Sequence, residues 1–167
     1  MPTTLDVLDH GTPLSFSFDD LMKYHGPGSP GGVAQAFKIL EQALPLLDPD
    51  GPCERHEIEV RTAFGGPGAR DGFELVTRAV TEERYVVDQS LGRPERGRTM
   101  ERFVFELTYR ERSATLIVRE GIVPDEFIDL ARTKGKSEEQ EARFAQLKVE
   151  MVERLLALPA DEVYDVV

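Results

Sequence analysis

The chain has 31 acidic against 20 basic side chains among its 167 residues, a formal net charge of −11. Charge of that sign repels phosphate backbones and anionic lipid heads, which argues against nucleic acid or a membrane surface as partner. A single cysteine, Cys53, excludes an intrachain disulfide and any cysteine-cluster metal site.

No apolar run approaches the roughly 20 residues that a membrane span needs, and the opening MPTTLDVLDHG lacks the basic and apolar segments of a signal peptide. The expectation is a cytoplasmic protein. Forty per cent hydrophobic and 31% charged residues are ordinary for a globular domain. A chain of this length buries about 70% of the surface its unfolded form exposes.

Residues 1–16 read as an irregular N-terminal arm, with a single domain over 17–167. Ser17 followed by Asp20 has the form of a capping box and opens a short helix with Phe18, Leu21 and Met22 on its apolar side. The loop His25-Gly26-Pro27-Gly28 leads to the best-signalled helix start in the chain. Ser29 can cap it, and Pro30 suits the first helical position, where a missing N–H costs nothing. Val33, Phe37, Leu40, Leu44 and Leu47 then follow at spacings of four, three, four and three, an apolar stripe. Pro45 and the sequence Asp48 to Pro52 are expected to end this helix.

His56 to Phe64 alternates as a strand, and Gly65-Gly66-Pro67-Gly68 reads as an irregular loop. Asp71 with Glu74 resembles another capping box, opening a helix with Phe73, Val76 and Val80 on one side. Tyr85-Val86-Val87 is a short strand. In Thr99 to Arg110, Phe103, Phe105, Leu107 and Tyr109 alternate with more polar positions, a period of two. A turn at Glu111 and Arg112 and a return strand from Thr115 to Arg119 complete an antiparallel hairpin. Pro124 opens a short helix through Arg132. Ser137 with Gln140 caps the last helix, whose stripe is Phe144, Leu147, Met151, Leu155 and Leu158, and Asp161 to Val167 reads as a tail. The succession predicts an α+β domain with helices packed on an antiparallel sheet.

The loop His25 to Gly31 has two readings. Outward-pointing amides at a helix start, with glycines that admit a ligand to the backbone, suit a small polar or anionic ligand. The same residues also suit a tight turn. The candidate ligand-binding residues are His25, Gly26, Gly28, Ser29 and Gly31. His25 adds a group that titrates near neutral pH, either as a hydrogen-bonded structural residue, as an acid/base group or as a metal ligand. His10, His25 and His56 are far apart in sequence and match no ligand spacing. No Gly-x-Ser-x-Gly elbow is present, and Gly65 to Gly68 lacks the lysine of a P-loop.

A loop of the form histidine-glycine-x-x-x-proline-glycine that opens a helix resembles the domain of the E-type subunit of formylmethanofuran dehydrogenase. The closing stretch PDEFIDLARTKGKSEEQEARFAQLKVEMVERLLALPADEVYDV is similar to that family's short helix, long helix and proline-acidic ending. The family loop usually reads His-Gly-His-x-Cys-Pro-Gly. His25, Gly26, Pro30 and Gly31 match it, while Pro27 and Ser29 stand at the second histidine and the cysteine. Many members also carry a zinc ribbon with paired cysteines, which this sequence lacks. The resemblance implies the α+β fold, a homodimer and a larger oxidoreductase as possible partner. Zinc at His25 is left without its usual thiolate. The expected function is therefore a binding or accessory module for a small polar or anionic ligand. The alternative is a metal-dependent enzyme using His25.

Overall fold

The computed structural model describes residues 3–167. Its centre is helix α2 (Pro30–Leu47), which begins on a proline at the first helical position. Val33, Ala34, Ala36, Phe37, Ile39, Leu40 and Ala43 are all buried, so apolar residues surround it rather than forming one stripe. A helix of that kind lies inside a core. It touches helices α1 (Phe18–His25), α3 (Pro67–Thr77) and α5 (Glu138–Ala157) as well as strands of both sheets. Pro45 does not end it. The missing N–H removes one bond near the terminus, and the helix runs on to Leu47, where the Asp48 amide donates to the Leu44 carbonyl at 3.2 Å.

The first residues are a hairpin, not an irregular arm. Strands β1 (Leu5–Asp9) and β2 (Thr12–Phe16) pair antiparallel, and β1 pairs parallel with the two-residue strand β3 (Cys53–Glu54). The hairpin turn is His10-Gly11, both at positive φ (48° and 85°), as a two-residue hairpin loop demands. Leu5 and Val7 point into the core. Pro13 sits on β2, at the edge of the sheet, where its missing donor is harmless.

The second sheet has the order β5-β4-β6-β7-β8. Strands β4 (Ile58–Thr62), β6 (Val104–Tyr109), β7 (Arg112–Val118) and β8 (Tyr164–Val166) are successively antiparallel, while β5 (Tyr85–Val87) runs parallel to β4. Both sheets are thus mixed, and the α+β domain is not built on a purely antiparallel sheet. The parallel pair arises because α3 carries the chain back between β4 and β5. Phe103, Phe105, Leu107 and Tyr109 are all buried, as their alternation requires. Burying each such side chain stabilises by about 1.5–3 kcal/mol.

Several local expectations shift. Strand β4 begins at Ile58, with His56 in a short helical turn before it, and β6 begins at Val104 rather than Thr99. The β6–β7 turn is Arg110-Glu111, with Arg110 at φ 54°, one residue earlier than expected. Helix α3 starts at Pro67 with Gly66 as its N-cap, so Gly65-Gly66 is loop, Pro67-Gly68 is the first turn of the helix, and Asp71 lies inside it. The chain after Asp161 adds strand β8 to the sheet, and Tyr164 there is fully buried. The remaining helix, α4 (Asp125–Arg132), packs on α5. Among the described residues no helix is long and apolar enough to cross a membrane.

Candidate functional site

Two helices of this fold start in nearly the same way: Ser29-Pro30-Gly31-Gly32 opens α2 and Gly66-Pro67-Gly68 opens α3. The two starts cross at backbone distance. A Cβ on Gly32 would lie 2.9 Å from the Ala69 nitrogen, and one on Gly68 would lie 2.3 Å from the Ser29 carbonyl oxygen. Only glycine permits that approach.

Neither start is capped by a side chain, and neither has an acidic residue in its first turn. Helices α1 and α5 are built the other way, each with a capping box and acidic residues in the first turn. Ser29 is the N-cap residue of α2, yet its hydroxyl makes no capping bond, contrary to expectation. At α2 and α3, therefore, no capping side chain and no first-turn carboxylate offsets the partial positive charge of the first-turn amides.

These two starts form one wall of a cavity of about 500 Å³. The facing walls come from α4 (Phe127, Ile128, Arg132), α5 (Phe144, Lys148, Met151) and the residues before β6 (Arg102, Phe103). Its surface is largely aromatic and aliphatic, with three cations at intervals. Lys148 donates to the Gly28 carbonyl at 3.1 Å and lies 4.5 Å above the Phe144 ring. Among the described residues, Arg102, Arg132 and Lys148 form no ion pair with a carboxylate. Gln35, 2% exposed, also lines the cavity. Its carbonyl accepts from the Tyr164 hydroxyl, and its amide nitrogen meets only the Met151 sulfur at 3.8 Å. A thioether is a weak acceptor and the nitrogen carries two donors, so at least one donor is unused.

Of the residues singled out in the sequence, Ser29 and Gly31 line this cavity, and Gly28 contributes the carbonyl that holds Lys148. His25 and Gly26 do not line it. The His25 side chain, 8% exposed, has Nδ1 2.7 Å from Asp71 Oδ2, while Nε2 accepts the Ser29 amide at 3.1 Å. Accepting at Nε2 places the proton on Nδ1, where it is donated to Asp71. His25 therefore ties the loop before α2 to the second turn of α3. No further histidine, cysteine or carboxylate joins this pair as a three-ligand group among the described residues.

Asp71 serves His25 rather than capping a helix, and Glu74 instead accepts from the Thr81 amide at 2.8 Å and from its hydroxyl. The spacing of a capping box is thus filled by residues with other partners. Arg102, Arg132 and Lys148 carry no sequence signal of their own, since nothing in their spacing brings them together. The paired Pro-Gly starts without acidic first turns are a legible clue. No protein-family model matches this chain, and a search of curated proteins returns no match.

Proposed function

We propose that the chain is a binding module for a small organic anion with an apolar or aromatic body, held in the cavity at the starts of α2 and α3. One observation carries this reading: three cations without carboxylate partners among the described residues, and two uncapped helix starts, surround a single cavity in a chain of net charge −11. The first-turn amides of α2 and α3, with Arg102 and Lys148, receive the anionic group. Phe103, Phe127 and Met151 bury the body, and the spare donor of Gln35 is offered to a polar atom on it. His25 is a positioning residue, because both of its nitrogens are already engaged. As part of the same proposal, the chain is placed close to the family of the E-type subunit of formylmethanofuran dehydrogenase. The support is the His25 to Gly31 loop opening a buried helix, followed by the hairpin and the closing helix pair. A thiolate metal or redox site finds no support, since Ser29 stands where that family has cysteine.

The test compares 2-naphthoate with its neutral amide by calorimetry, on the wild type and on the Arg102→Ala/Lys148→Ala double variant. The carboxylate is expected to bind at least about tenfold more tightly than the amide, a difference of about 1.4 kcal/mol. The double variant should lose that preference while keeping its circular dichroism. Equal binding of the two probes to the wild type, or an unchanged preference in the variant, overturns the reading.

A further inference from the structure

The two histidines left outside the cavity meet. His10, in the β1–β2 turn, stacks on His56, in the helical turn before β4, with ring centroids 4.5 Å apart and planes 16° from parallel. Asp9 joins them: its Oδ1 lies 3.0 Å from His56 Nε2 and 3.8 Å from His10 Nε2. Ligand atoms of all three residues lie within 4.8 Å of one another. A tetrahedral zinc ion with bonds of about 2.0–2.1 Å needs its ligand atoms roughly 3.3–3.5 Å apart. The two contacts to Asp9 bracket that spacing. The His10 side chain, 81% exposed, is free to rotate and close the third.

The surroundings hold His56 and Asp9 from behind and pin the turn that carries His10. His56 Nδ1 lies 2.9 Å from both oxygens of Glu82, which leaves Nε2 aimed at Asp9. A carboxylate behind a histidine is how metal-bound imidazoles are oriented and made more basic. Asp9 Oδ2 accepts from Arg55 at 3.1 Å, so one carboxylate oxygen is held while the other faces the histidines. Arg55 is itself buried and is tied to the Leu75 and Val76 carbonyls. The Glu54 carboxylate accepts the amides of His10 and Gly11 at 2.8 and 3.2 Å, which pins the turn carrying His10. Glu54 and Glu82 together supply two negative charges against the two positive charges of Arg55 and Arg84 nearby.

We propose that Asp9, His10 and His56 bind one divalent transition-metal ion of the zinc type, with a fourth position open to water. Two imidazole nitrogens and one carboxylate are the donor set that borderline metals favour over magnesium or calcium. Binding displaces any proton on His56 Nε2 to solvent and leaves Nδ1–H donated to Glu82. None of these residues lines the anion cavity, so this site stands or falls separately from the proposed function.

The probe is zinc ion itself, titrated by calorimetry into chelator-treated, tag-free protein. One ion per chain at micromolar affinity or tighter is expected. His10→Ala removes the exposed imidazole and leaves the His56, Asp9 and Glu82 contacts in place, so it should fold like the wild type and bind zinc at least tenfold more weakly. Cobalt ion supplies a second readout, a visible absorption band from a four-coordinate site that His10→Ala weakens. The alternative is that His56 is merely clamped between two carboxylates. In that case His10→Ala binds as the wild type does, or the wild type binds no stoichiometric zinc, and either result overturns the proposal.

Discussion

Cys53 shows how burial changes the chemistry of one side chain. It is 1% exposed, its thiol faces the Leu44 carbonyl at 3.7 Å, and burial, followed by the nearby Asp48 charge, pushes its pKa up to about 12. The folded chain thus holds the thiol proton more tightly than the unfolded chain does. The stability this represents is fully present below the unfolded value of about 8.5–9 and is lost as pH rises from there towards 12. The expected loss in the wild type, relative to Cys53→Ala, is about 1.4 kcal/mol for each pH unit above 9. Urea unfolding at pH 8 and pH 10 measures it, and identical pH slopes for the two proteins count against it. At pH 8 the native thiol should also resist a disulfide reagent until the chain unfolds.

Helix starts separate the elements that fold locally from those that depend on distant contacts. At Ser17 and Ser137 the hydroxyl accepts the amide three residues on while the third side chain reaches back, so α1 and α5 are fixed by residues within one turn. Ser17→Ala and Ser137→Ala should each cost about 1 kcal/mol. Ser29→Ala should cost a few tenths at most, because no capping bond is lost, and should instead alter ligand binding at the cavity. Thermal melts of the three variants decide this, and an equal loss at Ser29 would show that its hydroxyl does cap α2. The same contrast explains what is legible in the sequence. The α1, α2 and α5 starts and the alternation of Phe103, Phe105, Leu107 and Tyr109 are local patterns, complete within a few residues. Strand β8 is three residues long and exists because β7 offers it an edge and the core takes Tyr164. The β1–β2 hairpin repeats Leu5, Val7 and Leu14, Phe16 over runs too short to distinguish from an arm. Of the cavity's lining, Ser29 and Gly31 are visible in the sequence as a loop opening a helix. Arg102 and Lys148 are brought in by tertiary packing that no local pattern encodes.

Across the whole molecule the charge distribution opposes itself, since a chain of net charge −11 gathers Arg102, Arg132 and Lys148 around one cavity. Which of the two fields an approaching anion feels depends on how far each reaches. At about 0.01 M salt the screening length is about 30 Å, so the anion experiences the repulsion of the entire chain. At about 0.15 M it is about 8 Å, and only charges close to the cavity count, where the cations and the two helix starts dominate. At about 1 M it falls to about 3 Å and the local attraction is screened as well. The affinity for 2-naphthoate should therefore rise between the first two conditions and fall towards the third. A site whose cations acted without the surrounding negative charge would weaken steadily with salt. In the Arg102→Ala/Lys148→Ala variant the fall at high salt should largely disappear, because little local attraction is left to screen. Calorimetric titrations at the three ionic strengths test both statements, and a monotonic decline in the wild type would mean that the chain's net charge does not reach the cavity.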